Sequence, residues 1–435
     1  MLRTGFNQGT ESSMFKLQEP EKAGVCSQRI ARLSTWLNLQ VDEKRIAGGS
    51  LYVERKGSGV FFDAAGLAQQ RQQRPFGFDT VVRIYSMTKP ITTVAAMMLY
   101  EQGLFELDDP VAKFLPEFEH TRVWDGGKAG GTVAANSPIT VRQLMTHTSG
   151  LTYNFMNANP VDAMYRERRL DFLSHARTLA EHSVEAAASP LIFHPGEAWG
   201  YSIATDILGR LVEVLAQEDL RSFFIGRIFR PLGMLNTDFH VHEDCVGRFS
   251  DLYAPLSGAN MSSVASSGAS RETREPGIKL VEVAEQSRFL EPAVSYSGGG
   301  GLVGTIEDYA QFCRMLLNGG ELSGSRLLGT KTVDYMRRNH LPDGKDMAGM
   351  GQPVWSETTY AGIGFGLGFA VVVNPVEAQM LTSVGEHHWG GAASTHFWID
   401  PQEELFVIFF TQLMPSSAYP FRRQLRSQIY SSLIA

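Results

Sequence analysis

Ser86-Met87-Thr88-Lys89 sets a hydroxyl and an amine three residues apart, which is one turn if the segment is helical. Such a pair can make a nucleophile. Burial among apolar neighbours penalises an ammonium, and a neutral amine can accept or relay the serine proton. Thr80 to Tyr85 is a short β-rich run, and Ser86 stands where it turns into a helix carrying Ile91, Val94, Met98 and Leu99. There a backbone N–H and the helix N-terminus face developing negative charge. The tetrapeptide alone also admits a plainer reading, in which Ser86 only caps the helix and Lys89 is solvated. Short motifs recur by chance: Ser13-Met14-Phe15-Lys16 has the same pattern in a tail without apolar surroundings.

The elements that must position these groups are mixed. Ser27 caps a helix with Ile30, Leu33, Leu37 and Val41 on one face, ended by Gly48-Gly49. Ser50 to Glu54 and a strand starting at Val60 flank the turn Lys56 to Gly59 as an antiparallel hairpin. Ser86 to Gly103 is a helix, and Pro90 falls in its first turn, where N–H groups lack helical partners anyway. Thr140 and Ser202 open two more helices, the second with Ile203, Ile207, Leu208, Leu211 and Leu215. Thr305 to Asp308 resembles a capping box ahead of Tyr309, Phe312 and Leu316. Ser257 to Glu275, rich in Ser, Gly and Ala, reads as a surface loop. Strands return at Val371 to Val373, His396 to Ile399 and Leu405 to Phe410, and Phe421, Leu425 and Ile429 mark a closing helix. Both chain ends supply helix and strand, and the middle supplies helices. A chain of 435 residues exceeds what one core usually organises. The expected division is a tail over 1–24, an α/β lobe built from 25–85 and 350–435, and a mainly helical lobe over 86–349, with the Ser86 helix at their interface.

Longer stretches carry a resemblance. Phe78-Asp79-Thr80, then Ile84 to Lys89, then Gly103-Leu104-Phe105-Glu106-Leu107-Asp108-Asp109-Pro110 resemble the serine β-lactamase and penicillin-binding-protein superfamily. So do Leu144-Met145-Thr146-His147-Thr148-Ser149-Gly150-Leu151, His194-Pro195-Gly196 ahead of Tyr201-Ser202, and Ser297 to Gly301 with Gly304, Thr305 and Asp308. The likeness runs from about Val25 to the C-terminus, in the superfamily's order. It implies a mixed α and β, serine β-lactamase-like fold: an antiparallel sheet flanked by helices, plus a mainly helical second lobe. Two departures narrow it. Ile203 stands where the superfamily carries an Asn that would bond a β-lactam amide. Trp389-Gly390-Gly391 stands where Lys-Thr-Gly holds a substrate carboxylate. A tryptophan offers no positive charge, only a large apolar face and one N–H. Trp-Gly-Gly ahead of an apolar strand and Asp400-Pro401 is similar to the β-lactamase-like esterases, the family VIII carboxylesterases.

That resemblance implies a carboxylesterase acting on short-chain acyl esters through an acyl-Ser86 intermediate. Ser86, Lys89 and Tyr201 would be catalytic, with Tyr201 as the base facing Ser86 across the cleft. The backbone N–H groups of Ser86 and of Ala392, on an edge strand, would hold the oxyanion. Trp389, Gly390, Gly391 and Tyr153 would bind substrate. β-Lactam or D-amino-peptide hydrolysis and acyl transfer to another alcohol use the same set and stay open, and Arg422 or Arg423 could supply a carboxylate clamp in three dimensions. A non-catalytic binding module that kept the fold is argued against by the intact Ser86, Lys89 and Tyr201.

Composition excludes other classes. Net charge is −7, and no run of Lys or Arg suggests nucleic acid. No stretch is long and apolar enough to cross a bilayer, and Met1 to Pro20 lacks the apolar block of a secretory signal. Cys26, Cys245 and Cys313 are too scattered for a disulfide framework or zinc site, as expected of a cytoplasmic protein. His147, His387 and His388 match no metal spacing and read as structural, so neither metal nor cofactor is implied. No G-x-S-x-G occurs, against an α/β-hydrolase. The expected partner is a small-molecule ester, with a homo-oligomer left open.

Overall fold

A computed structural model describes residues 16–127, 131–174, 176–256, 277–351, 360–416 and 418–434. Ser13 and the Ser257 to Glu275 loop lie outside the described residues. The strands that matter here are β1 (Gly48–Arg55), β2 (Ser58–Gln69), β3 (Arg74–Pro75), β4 (Val82–Arg83), β5 (Val303–Gly304), β6 (Ile363–Phe365), β7 (Ala370–Val372), β8 (His387–Gly390), β9 (His396–Asp400) and β10 (Leu405–Thr411). The helices are α1 (Arg32–Asp42), α2 (Thr88–Glu101), α3 (Val141–Met145), α4 (Ala204–Ala216), α5 (Ile306–Leu317) and α6 (Phe421–Tyr430).

The unbroken apolar run of β10 has a direct cause: both of its faces are covered. Successive side chains point to opposite faces. Leu405, Val407 and Phe409 pack with Leu33, Trp36 and Leu37 of α1 and Phe421, Leu425 and Ile429 of α6. Phe406, Ile408 and Phe410 join the other cluster, with Val94 of α2 and Tyr309 of α5. Burying each such side chain stabilises the fold by roughly 1.5–3 kcal/mol. Around β10 the strands form an antiparallel sheet in the order β6-β7-β8-β9-β10-β1-β2-β3, so among the described residues the last strand pairs with the first. The architecture is therefore mixed α and β, a large antiparallel sheet flanked by helices.

Helix α2 is buried continuously from Thr88 to Met97, the mark of a core helix rather than a surface one. The α3 start keeps its capping box, Thr140 with Gln143. At α5 only half of the box forms: Thr305 accepts from the Asp308 N–H, while the Asp308 carboxylate turns to Asn236 and Thr237.

Several local expectations are corrected. Ser86 does not cap α2. It lies in a 3₁₀ turn, Tyr85–Met87, and Met87 occupies the cap position, which releases the serine hydroxyl for other partners. Cys26 rather than Ser27 precedes the first helical turn, and Ile203 rather than Ser202 stands at the start of α4. Gly48-Gly49 opens β1 instead of ending a helix. A Cβ on Gly48 would lie 2.6 Å from the Leu67 backbone nitrogen, so the glycine serves close strand approach. From Leu17, which bridges to Gly59, the chain is docked, and Val25 bridges to Leu433. Among the described residues no helix is long and apolar enough to cross a membrane.

Candidate active site

Strand β4 pairs antiparallel with β5 and delivers the chain to Ser86. Tyr85 then takes a φ of 44°, a left-handed conformation that a bulky residue adopts only under constraint. The turn is pinned by the Ile84 N–H donating to the Leu302 carbonyl (3.1 Å) and by the Tyr309 hydroxyl donating to the Met87 carbonyl (3.0 Å). Ser86 is thereby held with its hydroxyl oxygen 2.6 Å from the Tyr201 oxygen and 3.5 Å from Lys89 Nζ. Lys89 is 1% exposed. Its ammonium donates to the Tyr153 oxygen (2.8 Å) and the Gly299 carbonyl (2.7 Å), and lies 4.7 Å from the centre of the Tyr201 ring. A buried cation is tolerable when its protons are satisfied, and these oxygens satisfy them.

The Tyr201 segment is clamped on both sides. The Gly200 N–H donates to the His147 carbonyl (2.8 Å), and the Ile203 N–H donates to the Thr152 carbonyl (3.2 Å). His147 stands against the Tyr201 ring at 5.1 Å, with Nδ1 3.2 Å from the Ser202 hydroxyl. Burial, helped by the Lys89 charge, holds this imidazole well below its ordinary value, so it is neutral and packs as an aromatic. Tyr153 was expected to bind substrate; its hydroxyl sits on Lys89. Burial, then Tyr201 and Asp206, pushes that phenol well above its usual range and keeps it neutral. Ile203 is fully buried, and the Tyr153 oxygen supplies Lys89 with a partner from a neighbouring segment.

Trp389 faces the same group from the sheet. It is 7% exposed, and its ring lies 5.5 Å from Tyr201 and 5.4 Å from Phe365. Strand β8 is interior to the sheet, not at its edge as expected. The expectation fails over the whole strand but holds locally: the β7 ladder stops at Ala370 opposite His388, so Trp389 and Gly390 are paired to β9 only. Gly391 then passes against the nucleophile turn. A Cβ there would lie 2.3 Å from the Ile84 carbonyl oxygen. Its N–H donates to the Thr395 carbonyl (2.9 Å), and Ala392 follows directly. On the opposite face of β8, a Cβ on Gly390 would lie 2.5 Å from an Arg422 nitrogen, while Arg423 is exposed. Beside it Arg426 makes a buried two-point ion pair with Glu386 (2.9 and 2.7 Å), and His388 Nδ1 joins Glu386 at 2.8 Å. His387 and His388 are thus hydrogen-bonded and buried.

Several participants carried no motif. Asp206 accepts from Ser297 and Gly299 beneath the Lys89 amine, and Tyr309 holds the Ser86 turn. Asp206 did leave a signal: it is a carboxylate on the apolar face of α4.

Comparison with known proteins places this geometry in context. The Beta-lactamase family model matches residues 32–430. Protein Rv1367c of Mycobacterium tuberculosis is 32% identical over 81% of this chain and 80% of its own length. Esterase EstB of Burkholderia gladioli is 30% identical over 92% of this chain and 95% of its own. Among solved structures, EstCE1, described as a hydrolase with promiscuous acyltransferase activity, superposes with a TM-score of 0.75 at 28% identity, covering 93% of this chain and 99% of that one.

Proposed function

This chain belongs to the beta-lactamase family, and from that premise we propose that it is a serine carboxylesterase working through an acyl-Ser86 intermediate, of the family VIII type. One observation carries the reading: the Ser86 hydroxyl lies 2.6 Å from the Tyr201 oxygen, with Lys89 at 3.5 Å. Similarity to an esterase over nearly the full length of both chains supports it. Tyr201 acts as the phenolate, the form the adjacent Lys89 charge favours, and Ser86 Oγ attacks the ester carbonyl carbon as its proton passes to that phenolate oxygen. The oxyanion is taken by the N–H groups of Ser86 and Ala392. The carbonyl re-forms, the alkoxide leaves, and Tyr201 returns the proton to it. Water then attacks the acyl-enzyme, giving its proton to Tyr201, and Tyr201 passes that proton to Ser86 Oγ as the acid departs. Trp389, Gly390, Gly391 and Tyr153 are the substrate-binding residues of this reading.

The same reading sets the Ser86 helix between an α/β lobe (25–85 and 350–435) and a helical lobe (86–349). Its substrate is a small neutral ester. Free thiols at Cys26, Cys245 and Cys313 suit a reducing cytoplasm. A second reading, transfer of the acyl group to an alcohol other than water, is favoured by the likeness to EstCE1. The two differ only in which hydroxyl meets the acyl-enzyme.

Short-chain p-nitrophenyl esters should be hydrolysed and a chromogenic cephalosporin left nearly intact; the reverse ranking rejects the assignment. Ser86→Ala should fold and be inactive, while Ser13→Ala keeps activity. Adding short alcohols and following ester formation separates transfer from hydrolysis.

A further inference from the structure

Asp206 lies on α4, is 1% exposed, and has no ion-pair partner among the described residues. A carboxylate in such a place must be satisfied by hydrogen bonds or a nearby charge. Its Oδ1 accepts from the Ser297 hydroxyl (2.5 Å) and the Gly299 N–H (2.9 Å). The other side of Gly299 carries the carbonyl that accepts from Lys89 Nζ at 2.7 Å. Only glycine fits between them, since a Cβ on Gly299 would lie 2.4 Å from Asp206 Oδ2. The adjacent Gly298 carbonyl accepts from Thr92 of α2 at 2.7 Å, so the turn is tied to the helix that bears Lys89.

We propose that Asp206 is a positioning and charge-balancing residue for Lys89, acting through the Ser297–Gly299 turn. This rests on the role given to Ser86, Lys89 and Tyr201 above. The groups that face Lys89 are Tyr153, Tyr201, His147 and Asp206; Asp171 acts on Asp206 from farther out. Burial keeps His147 and Tyr153 neutral. Asp206 supplies the negative charge. Burial raises its carboxyl, while the Lys89 charge and the bonds from Ser297 and Gly299 oppose that rise. Without the carboxylate, the Lys89 and Tyr201 site loses its balancing negative charge, and the Gly299 carbonyl should lose its anchor.

The test is the rate at which a p-nitrophenyl alkylphosphonate modifies Ser86, measured against pH. Asp206→Asn keeps the shape and an acceptor oxygen but removes the charge. Both limbs of its profile should move to lower pH by about one unit. Ser297→Ala should move them in the same direction by less, and it carries the test if Asp206→Asn fails to fold. Folded variants with unmoved limbs would overturn the inference and leave Asp206 a packing residue. A wild-type chain that resists the phosphonate sinks the nucleophile assignment itself, a distinct failure.

Discussion

Replacing Tyr201 by Phe removes one oxygen and leaves the ring contacts with His147, Trp199 and Trp389 in place. The deleted atom is the one 2.6 Å from Ser86, and the next candidate base, Lys89, stands at 3.5 Å with its protons engaged by Tyr153 and Gly299. A positioned general base contributes roughly 10²–10⁴-fold, about 2.7–5.4 kcal/mol of transition-state stabilisation. The folding cost is of another order. One net hydrogen bond is worth about 1 kcal/mol, and no cavity forms. Tyr201→Phe should therefore lose at least a hundredfold in kcat/KM for a p-nitrophenyl ester while its melting temperature moves by a few degrees at most. Tyr153→Phe is the matched control, because it removes a phenol oxygen bound to Lys89 rather than to Ser86. It should cost clearly less. Retention of activity within tenfold in Tyr201→Phe would refute the assignment and make Lys89 alone the base. An equal loss in both variants would show that orientation of Lys89, not proton transfer at Tyr201, is what the phenols supply.

Two other outcomes follow from the geometry. Gly391→Ala should be destabilised by about 1–3 kcal/mol in urea unfolding and should lose activity, because its Cβ meets backbone that cannot yield; unchanged stability would mean that the β8 extension is not seated on the Ser86 turn. Acid should weaken the fold. Burial holds His387 down at about 4, so between about pH 6.5 and 4 the unfolded chain takes up a proton that the folded one refuses, a loss of ~3 kcal/mol. Burial pushes Asp308 up to about 6, which has the opposite sign: the folded chain is protonated first, and stability is gained as pH falls from about 6 towards 3.8. Asp308→Asn should hence steepen the loss of stability between pH 7 and 4.5, and a variant no steeper than the native chain would contradict the offset.

Elements with strong periodicity were legible in the sequence. Leu405 to Phe410 became the central strand and Phe421, Leu425 and Ile429 the closing helix, because each pattern encodes a buried face. Thr140 kept its capping box for a local reason: both partners lie within four residues. Ser86 misled as a cap, since a 3₁₀ turn and an α-helix start share the same residue preferences and differ in backbone angles. The approach of Tyr201 to Ser86 and Lys89 was visible only through resemblance, as no periodicity relates residues more than a hundred positions apart. Asp206 and Tyr309 were missed because their partners, the Ser297–Gly299 turn and the Met87 carbonyl, lie far away in the chain or on the backbone, where no residue type marks them.

On the proposed reading, Trp389 decides what can bind beside the nucleophile. Consider a substrate carboxylate placed along β8. There it would meet an indole face that is already packed on Tyr201 and Phe365. The guanidinium groups of Arg422 and Arg426 are on the far face of the strand, and Arg426 is neutralised by Glu386. Lys89 stands beside Ser86, and its donors are committed to Ser86, Tyr153 and Gly299. An anionic substrate would thus lose water without gaining a charged partner. A hydrogen bond to a charged group is worth about 1.5–3 kcal/mol, roughly ten- to a hundredfold in affinity. A neutral ester forfeits nothing of the kind. On that reading the acylation machinery can be shared with enzymes that open anionic lactams, while selectivity is set from β8, by Trp389.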